Sequence, residues 1–161
     1  ECARVVLQEG LEAGFRRHRL TSCALRAGLT AMGLELFGDS AHRMDNVTGV
    51  HVPSAIDEEG AVRTALLEDF GIEIGTSFGP LQGKIWRIGT MGYVCRKANV
   101  LRCLSAMEGV LRRHGFGTTS GAGIDAADVA DDAANRNIVR FAAVTRSRDH
   151  HPDWRCPFAG E

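Results

Sequence analysis

Apolar positions recur at helical spacing in three stretches of this chain and alternate in short runs between them. Leu7, Leu11 and Phe15, then Ser22, Leu25, Leu29 and Met32, fall at steps of three, four or seven and mark one face. The spacing predicts one long helix from Glu1 to Met32, or two joined at a kink. Gly10, Gly14 and Gly28 each lower its intrinsic helicity by ~1 kcal/mol relative to alanine, so it needs tertiary support. Gly33 is placed to stop it. Leu34 to Phe37 reads as a short strand closed by Gly38-Asp39-Ser40. Asn46 to Val52 alternates, with Val47, Gly49 and His51 on one side and Thr48, Val50 and Val52 on the other, and Pro53 ends it. Ser54 with Asp57 resembles a capping box ahead of a second amphipathic helix, Asp57 to Phe70. That helix carries Val62, Ala65, Leu66 and Phe70 on its apolar face and Gly71 as its stop. Ile72 to Ile74 and Lys84 to Gly89 read as two more strands. A third helix, Lys97 to His114, carries the clearest stripe of all: Val100, Leu104, Met107 and Leu111.

This order, with strands in hairpin-like succession and helices available to cover them, predicts an α+β fold with an antiparallel-type sheet. Three segments are expected: a leading connector helix over 1–33, a small domain over 34–116, and an extension over 117–161. The extension lacks lysine and holds one modest apolar cluster, Ile138 to Val144. The leading helix reads as a connector to a part of the protein outside this chain.

Composition narrows the picture only a little. The 161 residues suffice for one domain with a real core. With 44 % apolar residues, 24 % charged residues and a formal net charge of -1, neither a generally basic nucleic-acid binder nor a disordered chain is expected. No apolar run approaches the ~18 residues of a membrane-spanning helix. There is no initiator methionine and no signal-peptide pattern, so Glu1 is not expected to be the start of the gene product. The five cysteines (Cys2, Cys23, Cys95, Cys103, Cys156) are scattered and odd in number, which predicts free thiols in a reducing compartment such as the cytoplasm. No metal site is expected from them.

Several residues invite a chemical reading. Arg16-Arg17-His18-Arg19 reads as a solvated basic face. His51 reads as a packed or half-exposed strand histidine. Asp57, Glu58 and Glu59 sit where negative charge meets the positive end of a helix dipole. Asp149-His150-His151-Pro152-Asp153-Trp154-Arg155-Cys156 has metal-ligand residue types, but its spacing matches no site and it reads as a surface tail. Arg87 stands out. It lies inside an apolar strand between Trp86 and Ile88, flanked by Gly83 and Gly89. A guanidinium there needs an anionic partner, which is either a bound carboxylate or phosphate or one of the chain's own acids.

The run Gly71-Ile72-Glu73-Ile74-Gly75, then Gly79-Pro80, Gly83-Lys84-Ile85-Trp86-Arg87-Ile88-Gly89 and Met91-Gly92, followed by Cys95-Arg96, Asn99-Val100 and a leucine-rich helix, resembles the class V pyridoxal-phosphate-dependent aminotransferases. Within them it looks most like the alanine–glyoxylate and serine–pyruvate group, and closest to the (S)-ureidoglycine–glyoxylate branch of bacterial purine catabolism. The likeness reaches back through Val47 to Pro53 into the first helix, at Glu9-Gly10-Leu11-Glu12 and Arg17-His18-Arg19. It covers roughly Glu1 to Ala127, and the remainder resembles nothing in the family.

The resemblance implies the small C-terminal domain of a fold type I pyridoxal-phosphate-dependent transferase. It implies a cofactor, pyridoxal 5'-phosphate, held by a large domain that would lie upstream. It also implies small amino acid and 2-oxo acid substrates, glyoxylate among them, and a cytoplasmic homodimer with no nucleic-acid or membrane partner. The family arginine that holds the substrate's α-carboxylate falls on Arg87, as a substrate-binding residue. The Schiff-base lysine belongs to the upstream domain, and neither Lys84 nor Lys97 occupies its motif. No catalytic residue is therefore expected in this chain, which alone should be inactive. The alternatives are a non-catalytic carboxylate-binding or regulatory domain and, more remotely, an interaction module using Arg16 to Arg19.

Overall fold

Gly10 divides the first striped element in two. In the computed structural model α1 (Cys2–Glu9) and α2 (Leu11–Ala31) meet at Gly10, whose φ of 83° is open to glycine and rarely to other residues. The structure describes the backbone of residues 1–145 and the side chains of residues 1–134. After α2 come β1 (Val47–His51), α3 (Glu59–Phe70), β2 (Gly75–Thr76), β3 (Ile85–Gly89), α4 (Lys97–Arg113) and α5 (Ala122–Thr145). Short 3-10 turns intervene at Ser40–His42, Gly79–Leu81 and Gly92–Val94.

The sheet is small and antiparallel in the order β1-β3-β2, as the α+β expectation requires. Its alternation separates two faces. Val50, Trp86 and Ile88 face the core, where they meet Leu25, Leu29 and Met32 of α2, Val62 and Leu66 of α3, and Val100, Leu104, Met107 and Leu111 of α4. Arg87, paired with Gly49 and Gly75, belongs to the other face.

Four local expectations need correction. Leu34 to Phe37 lies beside β1, with Phe37 N–H donating to the Gly49 carbonyl and His51 N–H to the Glu35 carbonyl. Only Leu36 forms a bridge, to Val50, so no strand develops. Ile72 to Ile74 is not a strand either. The Ile72 N–H is drawn back to the Leu66 carbonyl, closing the end of α3 over the left-handed Gly71, so pairing begins only at Gly75. The Ser54–Asp57 capping box does not form. Ile56 N–H bonds the Pro53 carbonyl in a turn, and α3 starts at Glu59 without a side-chain cap. The thiols Cys2, Cys95 and Cys103 are free, but Cys23 is disulfide-bonded.

Ala122–Thr145 of the expected extension is helical and packs chiefly on α2 and also on α4. Ala127, Ala130 and Ala134 are buried, and the side chains of Ile138 to Val144 lie outside the described set. The helices approach closely at Gly28 and Gly123. A Cβ on Gly28 would stand 2.7 Å from the Gly123 carbonyl oxygen, and a Cβ on Gly123 2.7 Å from the Met32 sulfur. The packing that Gly28 permits offsets its intrinsic helix penalty.

Candidate functional site

β3 places Trp86 in the core and Arg87 on the open face because successive strand residues point to opposite sides. Both cross-strand neighbours of Arg87 are glycines, Gly49 and Gly75, so nothing on the sheet crowds the guanidinium from the side. Arg87 Nε donates to the Thr76 carbonyl at 2.8 Å. The guanidinium carbon lies 4.3 Å from the centroid of the Phe78 ring, in cation–π geometry. Among the described residues no carboxylate pairs with Arg87, and its two terminal nitrogens have no hydrogen-bond partner. The bond at Nε fixes the plane of the group and leaves the terminal pair for a bidentate acceptor.

Arg87 lines a cavity of about 250 Å³ together with Ser77, Phe37, Asp39, His42 and Arg43. Phe37 also fills the space over Gly49 and meets the His51 ring edge-on, at 5.5 Å between centroids. His51 is thus a half-buried packed histidine. Thr76 and Phe78 carried no signal of their own in the sequence. They matter because a backbone carbonyl and a ring happen to meet Arg87 in space.

The basic cluster on α2 is not a solvated face throughout. Arg17 grips both oxygens of Glu9, at 2.6 and 2.8 Å, and its remaining nitrogen reaches the carbonyls of Gly92 at 2.8 Å and Cys95 at 3.2 Å. It ties α1, α2 and the loop after β3 together. Arg19 pairs with Asp45 at 3.5 Å. Of the acidic trio at the start of α3, Glu59 accepts from Arg63 at 2.8 Å and from the buried Trp86 indole at 3.0 Å. The segment Asp149 to Cys156 lies outside the described residues.

No protein-family model matches the chain. It is 55 % identical over 140 residues to the (S)-ureidoglycine–glyoxylate transaminase of Bacillus subtilis, covering 86 % of this chain and 33 % of that enzyme. It is 37 % identical over 128 residues to the pyridoxamine–pyruvate transaminase of Mesorhizobium japonicum, covering 79 % of this chain and 32 % of that enzyme. The solved structure of the B. subtilis ureidoglycine–glyoxylate aminotransferase superposes with a TM-score of 0.74 at 58 % identity, over 77 % of this chain and 32 % of that one. That of a Mesorhizobium loti pyridoxamine–pyruvate aminotransferase gives 0.76 at 34 % identity, over 82 % and 33 %. The chain is a homologue of the class V aminotransferases. It spans about a third of the length of these aminotransferase relatives and matches their C-terminal part. A match of 140 residues extends past Ala127 wherever it begins, so the likeness includes part of α5.

Aminotransferases of this class depend on pyridoxal phosphate, and the described residues do not fit the Schiff base that would hold it. A lysine that attacks a carbonyl must shed its proton. Lys97 does the opposite: its ammonium pairs with Asp128 at 2.6 Å and Asp131 at 3.3 Å. The hydrogen bond to Asp128, aided by Asp131, raises its pKa above the ordinary lysine value. Lys84 is exposed on the approach to β3 and has no activating partner among the described residues.

Proposed function

We propose that this chain is the carboxylate-binding part of an aminotransferase that passes an amino group to glyoxylate or a similar small 2-oxo acid, in the catabolism of purine-derived ureidoglycine. The observation that carries the reading is Arg87: a half-buried guanidinium oriented by the Thr76 carbonyl and the Phe78 ring, with its terminal nitrogens open to a cavity. The similarity to a ureidoglycine–glyoxylate transaminase supports the substrate class. The chain's own share of the reaction is binding and orientation. A bidentate pair fixes two points of a substrate, which removes rotational freedom before any bond changes. Pyridoxal phosphate and its lysine would lie outside the described residues, in a cytoplasmic homodimeric parent, so the chain alone is inactive.

In the complete enzyme, Arg87→Ala should raise KM for both amino and keto acids by an amount worth roughly 1.5–3 kcal/mol, the value of a charged hydrogen-bonded pair. Arg87→Lys should restore only part of it, because an ammonium cannot form the fork. Steady-state kinetics unchanged in Arg87→Ala would remove the clamp assignment.

A further inference from the structure

The groups that hold the Arg87 guanidinium all come from one short stretch, Gly75 to Phe78. The Thr76 carbonyl accepts from Nε at 2.8 Å, and the Phe78 ring centroid lies 4.3 Å from the guanidinium carbon. A Cβ on Gly75 would stand 3.5 Å from Nη2, so β2 itself approaches the group to van der Waals distance. A free arginine side chain samples many rotamers. Each of these restraints removes freedom that carboxylate binding would otherwise have to take away.

Packing does not hold that stretch in place, because Phe78 is 74 % exposed and lies outside the hydrophobic core. The Thr76 hydroxyl supplies the anchor. It accepts from the Gly83 N–H at 3.2 Å and so closes the loop over 77–82. Inside the loop Leu81 N–H donates to the Phe78 carbonyl at 3.2 Å and Gln82 N–H to the Gly79 carbonyl at 3.1 Å. Gly79 and Gly83 take φ of 55° and 73°, which lets the chain reverse in so short a span. Gly83 leads directly into β3, where Lys84 N–H bonds the Leu81 carbonyl at 3.0 Å. Thr76 is thus tied to β3 twice, by its carbonyl to the Arg87 side chain and by its hydroxyl to the backbone that enters the strand.

On the reading of Arg87 as the carboxylate clamp, on which this assignment rests, we propose that Thr76 and Phe78 are its positioning residues, acting through Arg87 without touching the substrate. Thr76 sets the plane of the guanidinium and Phe78 covers its face, and the closed loop keeps both in register while the site is empty. A small 2-oxo or amino acid therefore meets a clamp already oriented. Interactions that orient a group equally for the bound substrate and for the transition state appear in KM and not in kcat. Neither side chain acts by shape alone. Thr76→Val keeps the branched form and removes the acceptor for Gly83 N–H, and Phe78→Leu keeps an apolar side chain and removes the ring that attracts the cation.

In the complete enzyme, Thr76→Val and Phe78→Leu should each raise KM for both amino and keto acids by about two- to fivefold, the scale of one neutral hydrogen bond or one exposed cation–π contact, with kcat held within about twofold. Thr76→Ser and Phe78→Tyr, which restore the hydroxyl and the ring, should recover most of the loss. In an Arg87→Ala background Phe78→Leu should add nothing; an undiminished effect there would place Phe78 against the substrate and overturn its action through Arg87. NMR spectra of the full chain supply a readout independent of turnover. The Arg87 Nε–H signal, assigned by its loss in Arg87→Lys, should exchange slowly with water and should exchange faster in Thr76→Val and Phe78→Leu. Equal exchange in all three chains would overturn the positioning role. Because Phe78 is exposed, Phe78→Leu carries the test if Thr76→Val fails to fold by circular dichroism. KM raised by Arg87→Ala and by neither loop variant would overturn the loop's role alone, whereas KM unmoved by Arg87→Ala would overturn the clamp and the loop's role with it.

Discussion

Trp86 is fully buried, and its indole N–H needs an acceptor that water cannot supply. Glu59 provides it and is held in turn by Arg63. The hydrogen bond from Arg63, with a smaller contribution from Trp86, keeps the Glu59 carboxyl below its ordinary pKa of 4.5. A carboxyl whose pKa is depressed on folding contributes stability that is fully present above the unfolded value and lost as pH falls through the folded one. Denaturation midpoints should therefore decline as pH drops below 4.5, and Glu59→Gln should flatten part of that decline. At neutral pH Glu59→Ala should cost about 1–3 kcal/mol, because it strands the indole N–H. A denaturation curve indistinguishable from that of the parent chain would contradict this role. The opposite side chain on β3, Arg87, could be placed on the open face from the two-residue period alone. Its freedom from the chain's own carboxylates could not, since any of them might have folded against it.

Glycine makes the same point for whole elements. In a helix interior, replacing glycine with alanine stabilises by about 1 kcal/mol if the new methyl finds space. Gly109 in α4 has nothing within 4 Å of an added Cβ. At Gly28 in α2 the methyl would press on Leu104 and stand 2.7 Å from the Gly123 carbonyl. Gly109→Ala should thus raise the thermal midpoint, whereas Gly28→Ala should lower stability by roughly 1–3 kcal/mol through overpacking. Equal shifts of the same sign would show that α5 does not sit against α2 as described. The seating of α5 had a signal in the chain: Gly123, Ala127, Ala130 and Ala134 recur at helical spacing as a stripe of small residues. Pattern reading weighted toward large apolar side chains passes over such a stripe, although small residues are what allow two backbones to approach closely.

For the molecule as a whole, the first apolar stripe divides. Leu25, Leu29 and Met32 are buried, while Leu7 is 78 % exposed and Leu11 and Phe15 are each 58 % exposed. Exposed large apolar side chains on one element favour association. Sedimentation velocity should show concentration-dependent self-association of the chain, suppressed by Leu7→Glu combined with Phe15→Glu; a monomer at every concentration would count against it. Incubation of the chain with pyridoxal phosphate and borohydride should trap no stoichiometric adduct at a single lysine, because Lys97 is held charged by two aspartates and Lys84 lies on the open surface. A specific adduct would refute the inactivity of the chain.

The sequence by itself determined the second and third amphipathic helices to within a few residues of their ends, the strands that carry Val50 and Arg87, and the family resemblance, and it left open whether the first helix is kinked. Those features follow from local periodicity and backbone preference, which act within a few residues. Only the tertiary structure decided that the Ile72 N–H closes α3 rather than opening a strand, that Gly28 seats a distant helix, and that Arg87 keeps its terminal nitrogens while Arg17 and Arg19 find acids. These outcomes are competitions among groups far apart in the chain for the same partners, and spacing along the chain does not say which group arrives.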